Sequence, residues 1–560
     1  FRSISRLKDE GIDSLAFEKS LKKQMPNIGE DMAAPMRDLA AIYTKYSSLM
    51  QSKNSLDFGD LMIKLQHLLK TRESIRQQIC GRYKYVLVDE FQDTNSIQMQ
   101  IVQLLLNDDN NIMVVGDDDQ AIYRFRGASV ANILSFRKVF KEAEIVVLRD
   151  NFRSGQAILD AGYALIQHNN PDRLEYSEKI NKKLVANTNP DAYVAINDYP
   201  HKLSEADGVV DKISELISNG VESGQIAVLL RKNNQLKQYI LALQKQKIGY
   251  YVHQDVELFD QASVKAMLNL TKVICDPLDS AALFQLLVSG FFRDIDTHEV
   301  IRVSAMANRS NDTLEQAIVQ QAETLEWAGK VLGHLGKWRA NLADLSAGES
   351  LYLAIKSTGY LKELLNQAGE SVESALAVQY LTDFFKLVKQ FEAVSNKPNL
   401  MEFSRYLDDI KQASGDVMSE ISPLDNSGVQ LMTVHKAKGL EFDFVFLPEL
   451  TEQNFPTYRR ADKVKIAESL LKSGSGDHYQ EERRLFYVAL TRARRGLELS
   501  FSLNHGGKRA KKPSRFINEA IGPDWQDSSK QHALQTDISE FIESFQVGAK
   551  LPLASPLARL

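Results

Sequence analysis

The sequence has few cysteines, no long apolar run and no excess of basic residues. Its 560 residues include only Cys80 and Cys275, too few for a disulfide framework or a zinc site, which predicts a reducing, cytoplasmic location. No run of about 18 apolar residues occurs, so we expect no membrane span, and no signal peptide is recognisable. The net charge of −5 excludes a globally basic nucleic-acid coat, although a groove can be locally basic on an acidic protein.

The length and the residue pattern predict several domains, because single cores rarely exceed about 250–300 residues. Helical and strand patterns alternate over 56–148 and again from about residue 151, which favours α/β units with a parallel sheet. The predicted strands are 86–88, 112–115, 145–148, 194–196, 226–230, 429–434, 444–447 and 497–501. Long amphipathic helices, for example 350–365 and 378–394, fill the region 257–427. We therefore expect an α/β fold interrupted by a helical insertion.

The first candidate site follows the apolar run 86–88, where a buried strand is expected to end in Asp89 and Glu90. Parallel strands present the residues that follow them at the carboxyl edge of a sheet, where nucleotide sites form. Asp89 could hold Mg²⁺, which prefers oxygen ligands. Glu90 could orient or deprotonate a water that attacks a γ-phosphate. The alternative is an acidic strand end that caps the next helix.

A second acidic turn, 116–119, follows the strand at 112–115. Gln120 comes next, an amide that could hydrogen-bond a water or a phosphate. Tyr123 and Phe125 then alternate with two arginines. Aromatic residues interleaved with cations suit single-stranded nucleic acid, since stacking is worth about 1–3 kcal/mol per base. The alternative is that the two aromatic rings pack in a core.

Two further segments place donors after strands. Arg153 could reach a phosphate with both guanidinium nitrogens, although most such arginines form surface ion pairs. Thr433, His435 and Lys438 lie at a strand-to-helix turn that suits phosphate contacts. A lone histidine would more often be structural.

A helical pattern from residue 481 to 494 carries the last candidate. Arg492 shares a predicted face with Leu485 and Val488, and could project from a packed helix into a cleft. For Arg494 and Arg495 a solvated basic helix is the better interpretation.

Taken in this order, these segments closely resemble the UvrD/Rep family of superfamily 1 DNA helicases. The resemblance runs from Asp57 to about Phe516. It implies an α/β fold with two RecA-like, parallel-sheet motor domains and helical insertions, with ATP bound between the motor domains and single-stranded DNA across them. The implied domains are the end of the first insertion (1–50), a partial first motor domain (51–148), a second motor domain (149–256 and 428–520), its insertion (257–427) and a C-terminal tail (521–560).

The resemblance also implies roles for individual residues. Those facing ATP are Asp89 with Mg²⁺, Glu90 activating water, Gln120 sensing the γ-phosphate, Arg153 and Arg492 reaching the γ-phosphate, Phe152 stacking on adenine, and Glu441 contacting the nucleotide. Those facing DNA are Tyr123, Phe125, Arg126, Thr433 and His435. Phe152 stands where tyrosine is frequent and Phe125 where tryptophan is frequent, and both retain an aromatic face.

One element of the family pattern does not occur in these 560 residues. A Gly-x-x-x-x-Gly-Lys-[Ser/Thr] loop, whose amides and lysine cradle phosphates, is absent. In the family this loop precedes the first insertion, and the sequence begins with Phe1, so we expect an N-terminal truncation. The 560 residues alone are expected to hydrolyse ATP poorly. The insertion is divergent, so no family roles carry over to it.

The expected function is ATP-dependent 3′-to-5′ unwinding of DNA in repair or replication. The expected partners are single-stranded and duplex DNA and proteins of repair or replication, with the chain a monomer or a DNA-induced dimer and no membrane involved. One alternative is the motor portion of a helicase–nuclease, although no acidic nuclease signature precedes Leu560. Another is a DNA-binding scaffold without catalysis, which the intact Glu90, Gln120 and Arg492 disfavour.

Overall fold

The computed structural model describes residues 1–523 except 108, 125–126, 129, 254, 343, 369–371, 413–417, 421–427, 459–465, 468–469, 471–476 and 507–509. These residues form two compact units. The first unit comprises the described residues of 1–252 and 426–523, and the second comprises those of 253–425. Within the described ranges, no helix combines the length and apolar character needed to cross a lipid bilayer.

Seven of the eight predicted strands lie close to their expected positions, and five further strands among the described residues were not predicted. The strands are β1 (Val86–Val88), β2 (Ile112–Val114), β3 (Asp150–Asn151), β4 (Val185–Ala186), β5 (Tyr193–His201), β6 (Ile226–Leu230), β7 (Tyr250–His253), β8 (Asp255–Glu257), β9 (Met418–Glu420), β10 (Val429–Thr433), β11 (Phe442–Leu447) and β12 (Ala493–Asn504). The strand predicted at 145–148 is wrong. Val146 and Leu148 are 80% and 76% exposed, and no described strand pairs with this segment, so its β-branched residues alone do not make a strand.

The helices fall into three stretches of the chain. The N-terminal stretch contains α1 (Arg2–Asp9), α2 (Ser14–Gln24), α3 (Glu30–Ser52), α4 (Phe58–Thr71), α5 (Glu73–Cys80), α6 (Ser96–Leu105), α7 (Val130–Leu134), α8 (Phe136–Val139), α9 (Gln156–Gln167), α10 (Leu174–Ser177), α11 (Lys202–Ser218) and α12 (Leu236–Lys245). The second unit contains α13 (Ala262–Cys275), α14 (Ser280–Val288), α15 (Thr297–Ser310), α16 (Leu314–Gln320), α17 (Glu326–Ala340), α18 (Ala347–Ser357), α19 (Tyr360–Ala368), α20 (Val372–Val394) and α21 (Leu400–Gln412). The last stretch contains α22 (Val434–Ala437), α23 (His478–Leu490) and α24 (Arg515–Ile521).

A short parallel ladder organises the N-terminal part of the first unit. Strand β1 pairs with β2, with Val86 opposite Ile112 and Val88 opposite Val114. The prediction that these two strands are neighbours is thereby confirmed, although β1 is not central, since the described sheet has two strands. Parallel pairing sends the chain out of both strands at the same edge. The turns after Val88 and Val114 therefore lie side by side.

A six-stranded sheet organises the rest of the first unit, in the order β5-β12-β11-β6-β10-β7. Its central strand β6 pairs in parallel with both β10 and β11. All five residues of β6 are buried, as expected for a parallel strand covered on both faces by helices. Separate apolar clusters lie on its two sides, one around Leu485 and Val488 of α23 and one around Val210 of α11.

The second unit is helical around one core of its own. That core includes Phe384, Phe403 and Trp338. The predicted helix 378–394 is confirmed within α20, but the single helix predicted at 350–365 is wrong. It is divided into α18 and α19 at Gly359, whose φ of +75° ends the first helix. A left-handed glycine just after a helix is a common stop signal, because it satisfies the last carbonyls without a steric cost.

Candidate active site

The turn after β1 presents two exposed carboxylates. Glu90 has a left-handed backbone with φ +47°, an uncommon conformation for a residue with a side chain. The amide of Glu90 donates to Asp89 Oδ1 at 2.8 Å, and Phe91 N donates to the Val115 carbonyl at 2.9 Å, which fixes the turn on the neighbouring strand. Such conformations cost about 1–3 kcal/mol and cluster at functional sites.

Neither carboxylate caps the following helix. Helix α6 is capped by Asn95, whose side chain accepts from Gln98 N at 2.9 Å while the Gln98 side chain accepts from Asn95 N at 2.9 Å. The helix-cap alternative for Asp89 and Glu90 therefore does not apply. Asp89 is exposed and keeps free lone pairs, so it fits a Mg²⁺ ion that retains several waters.

Gln92 connects the two acidic turns. Its side-chain amide donates to the Glu90 carboxylate, and its Oε1 accepts from Asp117 N at 3.0 Å. Gly116 makes this approach possible, since a Cβ there would lie 2.5 Å from Gln92 Oε1 and 3.2 Å from Phe91 N. Gln92 is buried, and sequence reasoning missed it because a neutral amide inside an acidic run gives no signal of its own.

Lys438, which follows α22, brings a cation to the same place. Its Nζ donates to the Gln120 carbonyl at 3.0 Å, pairs with Asp93 and lies 3.6 Å from Glu90 Oε2. Burial raises the pKa of Asp93 and Glu90 adds to this effect, whereas Lys438 opposes it. Glu90 and Gln120 thus share one neighbour, supplied from a sequence position more than 300 residues away.

Arg153 and Arg494 both donate to the Glu441 carboxylate. Hydrogen bonds from Arg494 and Arg153 lower the pKa of Glu441 to about 2. The interpretation of Arg494 and Arg495 as parts of a solvated helix is wrong, because α23 ends at Leu490 and both arginines lie on β12. Arg494 is half-buried by its acidic partner, while the Arg495 side chain is 57% exposed.

Arg492 lies just beyond α23 and is buried. Its Nε donates to the Val488 carbonyl and its Nη1 to the Leu440 carbonyl, each at 3.1 Å. Burial and the charge of Arg153 together lower the pKa of Arg492 to about 10, against the opposing effect of Tyr487, Glu90 and Glu441. Arg492 therefore remains a cation at neutral pH, within electrostatic reach of both Arg153 and Glu90.

The candidate DNA-facing residues are described only in part. Tyr123 packs partly buried against the core beside β10, its hydroxyl donates to the His435 carbonyl at 3.3 Å, and Lys438 Nζ lies 5.1 Å from its ring centre. Packing against the core thus explains why part of the Tyr123 ring is buried. Thr433 ends β10 and His435 lies in α22, both half-buried. The predicted contacts of Phe125 and Arg126 lie outside the described residues.

Comparison with known proteins gives two family matches in the order of the chain. The UvrD/REP helicase N-terminal domain matches residues 2–141, and the UvrD-like helicase C-terminal domain matches residues 146–504, more than half of the chain. This chain belongs to the UvrD-like helicase family. Its mixed α/β architecture with parallel sheets is that of the RecA-like motor domains of this family.

Individual relatives of this UvrD-like chain support the assignment. The ATP-dependent DNA helicase PcrA of Staphylococcus epidermidis is 30% identical over 557 residues, which cover 95% of this chain and 72% of the relative. DNA helicase II of Escherichia coli is 30% identical over 488 residues, which cover 85% of this chain and 64% of the relative. The ATP-dependent DNA helicase PcrA of Leuconostoc citreum is 31% identical over 499 residues, which cover 87% of this chain and 63% of the relative.

In this UvrD-like chain, most of the residues that were predicted to face the nucleotide lie in one region of the structure. Glu90 and Gln120 meet at Lys438, while Arg153 and Glu441 meet in one ion pair beside Arg492. Phe152 is 77% exposed after β3. The residues that sequence reasoning did not assign are Gln92, Arg494 and the partners of the Asp117–Asp119 turn.

Proposed function

We propose that this chain forms the motor of an ATP-dependent DNA helicase that moves 3′ to 5′ along single-stranded DNA. One observation carries the proposal. Glu90, at the end of β1, lies 3.6 Å from Lys438 and its charge acts on Arg492, both of which follow elements of the six-stranded part. An acid that can activate water and cations that can stabilise a phosphate therefore converge from two sheets. The names of the relatives, DNA helicases that depend on ATP, support the same conclusion.

The proposed reaction is attack of water on the γ-phosphate. Glu90 accepts the proton of the water, a bond forms between the water oxygen and the γ-phosphorus, and the bond to the β–γ bridging oxygen breaks. Mg²⁺ held by Asp89 would neutralise charge on the phosphate oxygens. Arg153 and Arg492 stabilise the charge of the transition state, which is worth about 10³–10⁵ in rate in other nucleotide hydrolases. Gln120 senses whether the γ-phosphate is present.

Two further residues complete the proposed nucleotide site. The exposed ring of Phe152 offers a stacking face for adenine. Glu441 contacts the nucleotide and also orients Arg153 through their ion pair. Since Arg494 shares this carboxylate, we add Arg494 to the groups that position Arg153.

Arg492→Ala tests the catalytic proposal. In the protein expressed from its full coding sequence, ATP turnover should fall at least about 10³-fold, while affinity for single-stranded DNA should change little. Phosphate release and fluorescence anisotropy of a labelled oligonucleotide measure the two quantities. The matched control is Arg495→Ala, three residues further along and largely exposed. Undiminished turnover in Arg492→Ala would remove this arginine from the mechanism.

The proposed DNA track consists of Tyr123, Phe125, Arg126, Thr433 and His435. Stacking and phosphate contacts carry little base information, so binding should be nearly independent of sequence and should weaken steeply with salt through counterion release. Tyr123→Ala combined with Phe125→Ala should cost a few kcal/mol of binding. The control is Tyr176→Ala on α10, which is 61% exposed.

Because Tyr123 also packs in a core, the melting temperature of the double variant must be measured with its affinity. A flat salt titration would contradict the track. Lost stability with unchanged affinity would also contradict it, since the rings would then serve packing alone.

We propose that the protein acts on single-stranded and duplex DNA in the cytoplasm, in DNA repair or replication. The two cysteines, Cys80 and Cys275, are both free thiols, as is usual in a reducing compartment. Sedimentation with and without an oligonucleotide distinguishes a monomer from a DNA-induced dimer.

A further inference from the structure

The Lys182 ammonium group sits among three consecutive carboxylates. Its Nζ lies 2.6 Å from Asp117 Oδ1, 2.6 Å from Asp118 Oδ1 and 2.8 Å from Asp119 Oδ2. The Lys182 side chain is only 16% exposed. Burial alone would lower its pKa, but the three carboxylates raise it well above the ordinary value of a lysine. Lys182 is thus a fixed, permanently charged group inside the turn that follows β2.

The same segment of chain contacts this turn at two more points. Arg173 donates from Nε and Nη2 to the two oxygens of Asp119 at 2.7 and 2.6 Å, and Leu174 N donates to Asp118 Oδ2 at 2.9 Å. The ligand oxygens of the three aspartates lie within 4.8 Å of one another, a spacing that could hold a metal ion. Here that space is taken by Lys182, so the acidic turn is a receptor for residues 173–182 instead.

Asp117 connects this receptor to the proposed reacting groups. Its Oδ2 accepts from Gln120 Nε2 at 2.9 Å, and its amide donates to Gln92, which in turn donates to Glu90. Burial would raise the pKa of Asp117, yet Lys182 outweighs this and lowers it. The Asp117 carboxylate therefore stays ionised and takes one amide proton of Gln120. The other amide proton remains available for a phosphate.

We propose that Lys182 is a positioning residue, which holds Asp117 and thereby sets the orientation of Gln120 and Glu90 for hydrolysis. The inference rests on the proposed function, because it assumes that Gln120 and Glu90 act on a γ-phosphate. Because the Lys182 ammonium group is occupied by three aspartates and its side chain is largely buried, we expect it to contact neither nucleotide nor DNA. Its loss should therefore act on the rate of the chemical step rather than on binding.

Lys182→Met is the direct test, since it keeps the aliphatic stem and removes the charge. In the protein expressed from its full coding sequence, kcat for ATP should fall about 10- to 100-fold, the range that small misplacements of reacting groups produce. KM for ATP and Kd for an oligonucleotide without nucleotide should stay within about threefold of the parent. The matched control is Lys183→Met, whose side chain is exposed and pairs with Asp160 on the surface.

Lys182→Arg covers the case in which the methionine variant does not fold. Arginine keeps the charge, but its planar guanidinium cannot place one point charge against three carboxylates. It should give an intermediate loss of kcat with a melting temperature close to the parent.

A kcat within twofold of the parent in both variants would overturn the inference. So would a parallel loss of kcat, DNA affinity and melting temperature, because that pattern indicates a structural role alone. If the parent itself shows no DNA-stimulated ATP turnover, the proposed function fails and this inference fails with it. A normal parent with normal turnover in both Lys182 variants refutes only the positioning role.

Discussion

At the scale of single residues, one carboxyl group outside the candidate active site has a strongly raised pKa. Glu205, in the first turn of α11, accepts from Glu449 N at 2.7 Å and from Ser500 Oγ at 2.8 Å. Its second oxygen is buried without a hydrogen-bond partner among the described residues. Burial raises the pKa of Glu205 from the ordinary 4.5 to about 7. Folding therefore favours the protonated acid.

This pKa shift predicts a loss of stability as the pH rises. Because the folded pKa exceeds the unfolded one, the contribution is complete below about pH 4.5 and is lost as the pH passes about 7. At about 1.4 kcal/mol per pKa unit, the loss is up to about 3 kcal/mol. Glu205→Gln should abolish this difference in unfolding free energy, measured by urea unfolding at pH 5 and pH 8. The control Glu222→Gln, at an exposed position, should keep the difference. An unchanged difference in Glu205→Gln would assign the pH dependence to another group.

Candidate site residues could be proposed from the sequence where a polar side chain follows an apolar run, and their roles stay predictions. Asp89, Glu90 and Gln120 were identified in this way, because the end of a parallel strand has a known direction. Lys182 was not identifiable. It lies 65 residues from Asp117, and a lysine among other polar residues gives no sign that it is buried. Ion pairs between residues so far apart in the chain are formed by the fold, and no local sequence pattern predicts them.

At the scale of elements, five of the six strands of the six-stranded sheet were predicted, and β7 was not. Strand β6 was predicted residue for residue, because burial on both faces requires five consecutive apolar residues. The segment 145–148 has a similar composition but no partner among the described strands, so composition misled there. The helix predicted at 350–365 failed at a single position, Gly359, because its amphipathic pattern continues across the break between α18 and α19.

That break gives a prediction at the element scale. Gly359→Ala should lower the free energy of unfolding by about 1–2 kcal/mol, because φ of +75° brings a Cβ too close to the following carbonyl. Gly333→Ala is the control. Gly333 lies exposed inside α17 with nothing within 4 Å of an added Cβ, so alanine there should stabilise by about 0.5–1 kcal/mol.

Tryptophan fluorescence during urea unfolding can measure both glycine variants, since Trp327 and Trp338 lie in the core of the same unit. Equal effects of the two substitutions would show that the backbone conformation at Gly359 carries no cost.

At the scale of the whole molecule, the change of sequence pattern predicted a helical insertion. The predicted bounds were 257–427, and the second compact unit runs from 253 to 425. Family resemblance, rather than periodicity, supplied the division of the remainder into two motor domains, which stays a prediction. The pattern of apolar residues indicates which segments share a hydrophobic core. It does not indicate to which domain of the protein that core belongs.

The second unit is built in a way that should let it fold alone. Its two chain ends are joined by an antiparallel ladder, with Asp255 opposite Glu420 and Glu257 opposite Met418. Adjacent termini are what allow one domain to be inserted into another. Its core draws only on its own residues, among them Phe384 and Phe403, both fully buried.

We therefore predict that residues 253–425, expressed alone, give a helical circular dichroism spectrum and a single cooperative thermal transition. Phe384→Ala should destabilise this fragment by about 3–5 kcal/mol, because it leaves a cavity in the core. Tyr352→Ala, at a half-exposed position, should change it little. A fragment with a random-coil spectrum would mean that its helices need the first unit after all. The ladder at its ends would then mark only where the chain enters and leaves.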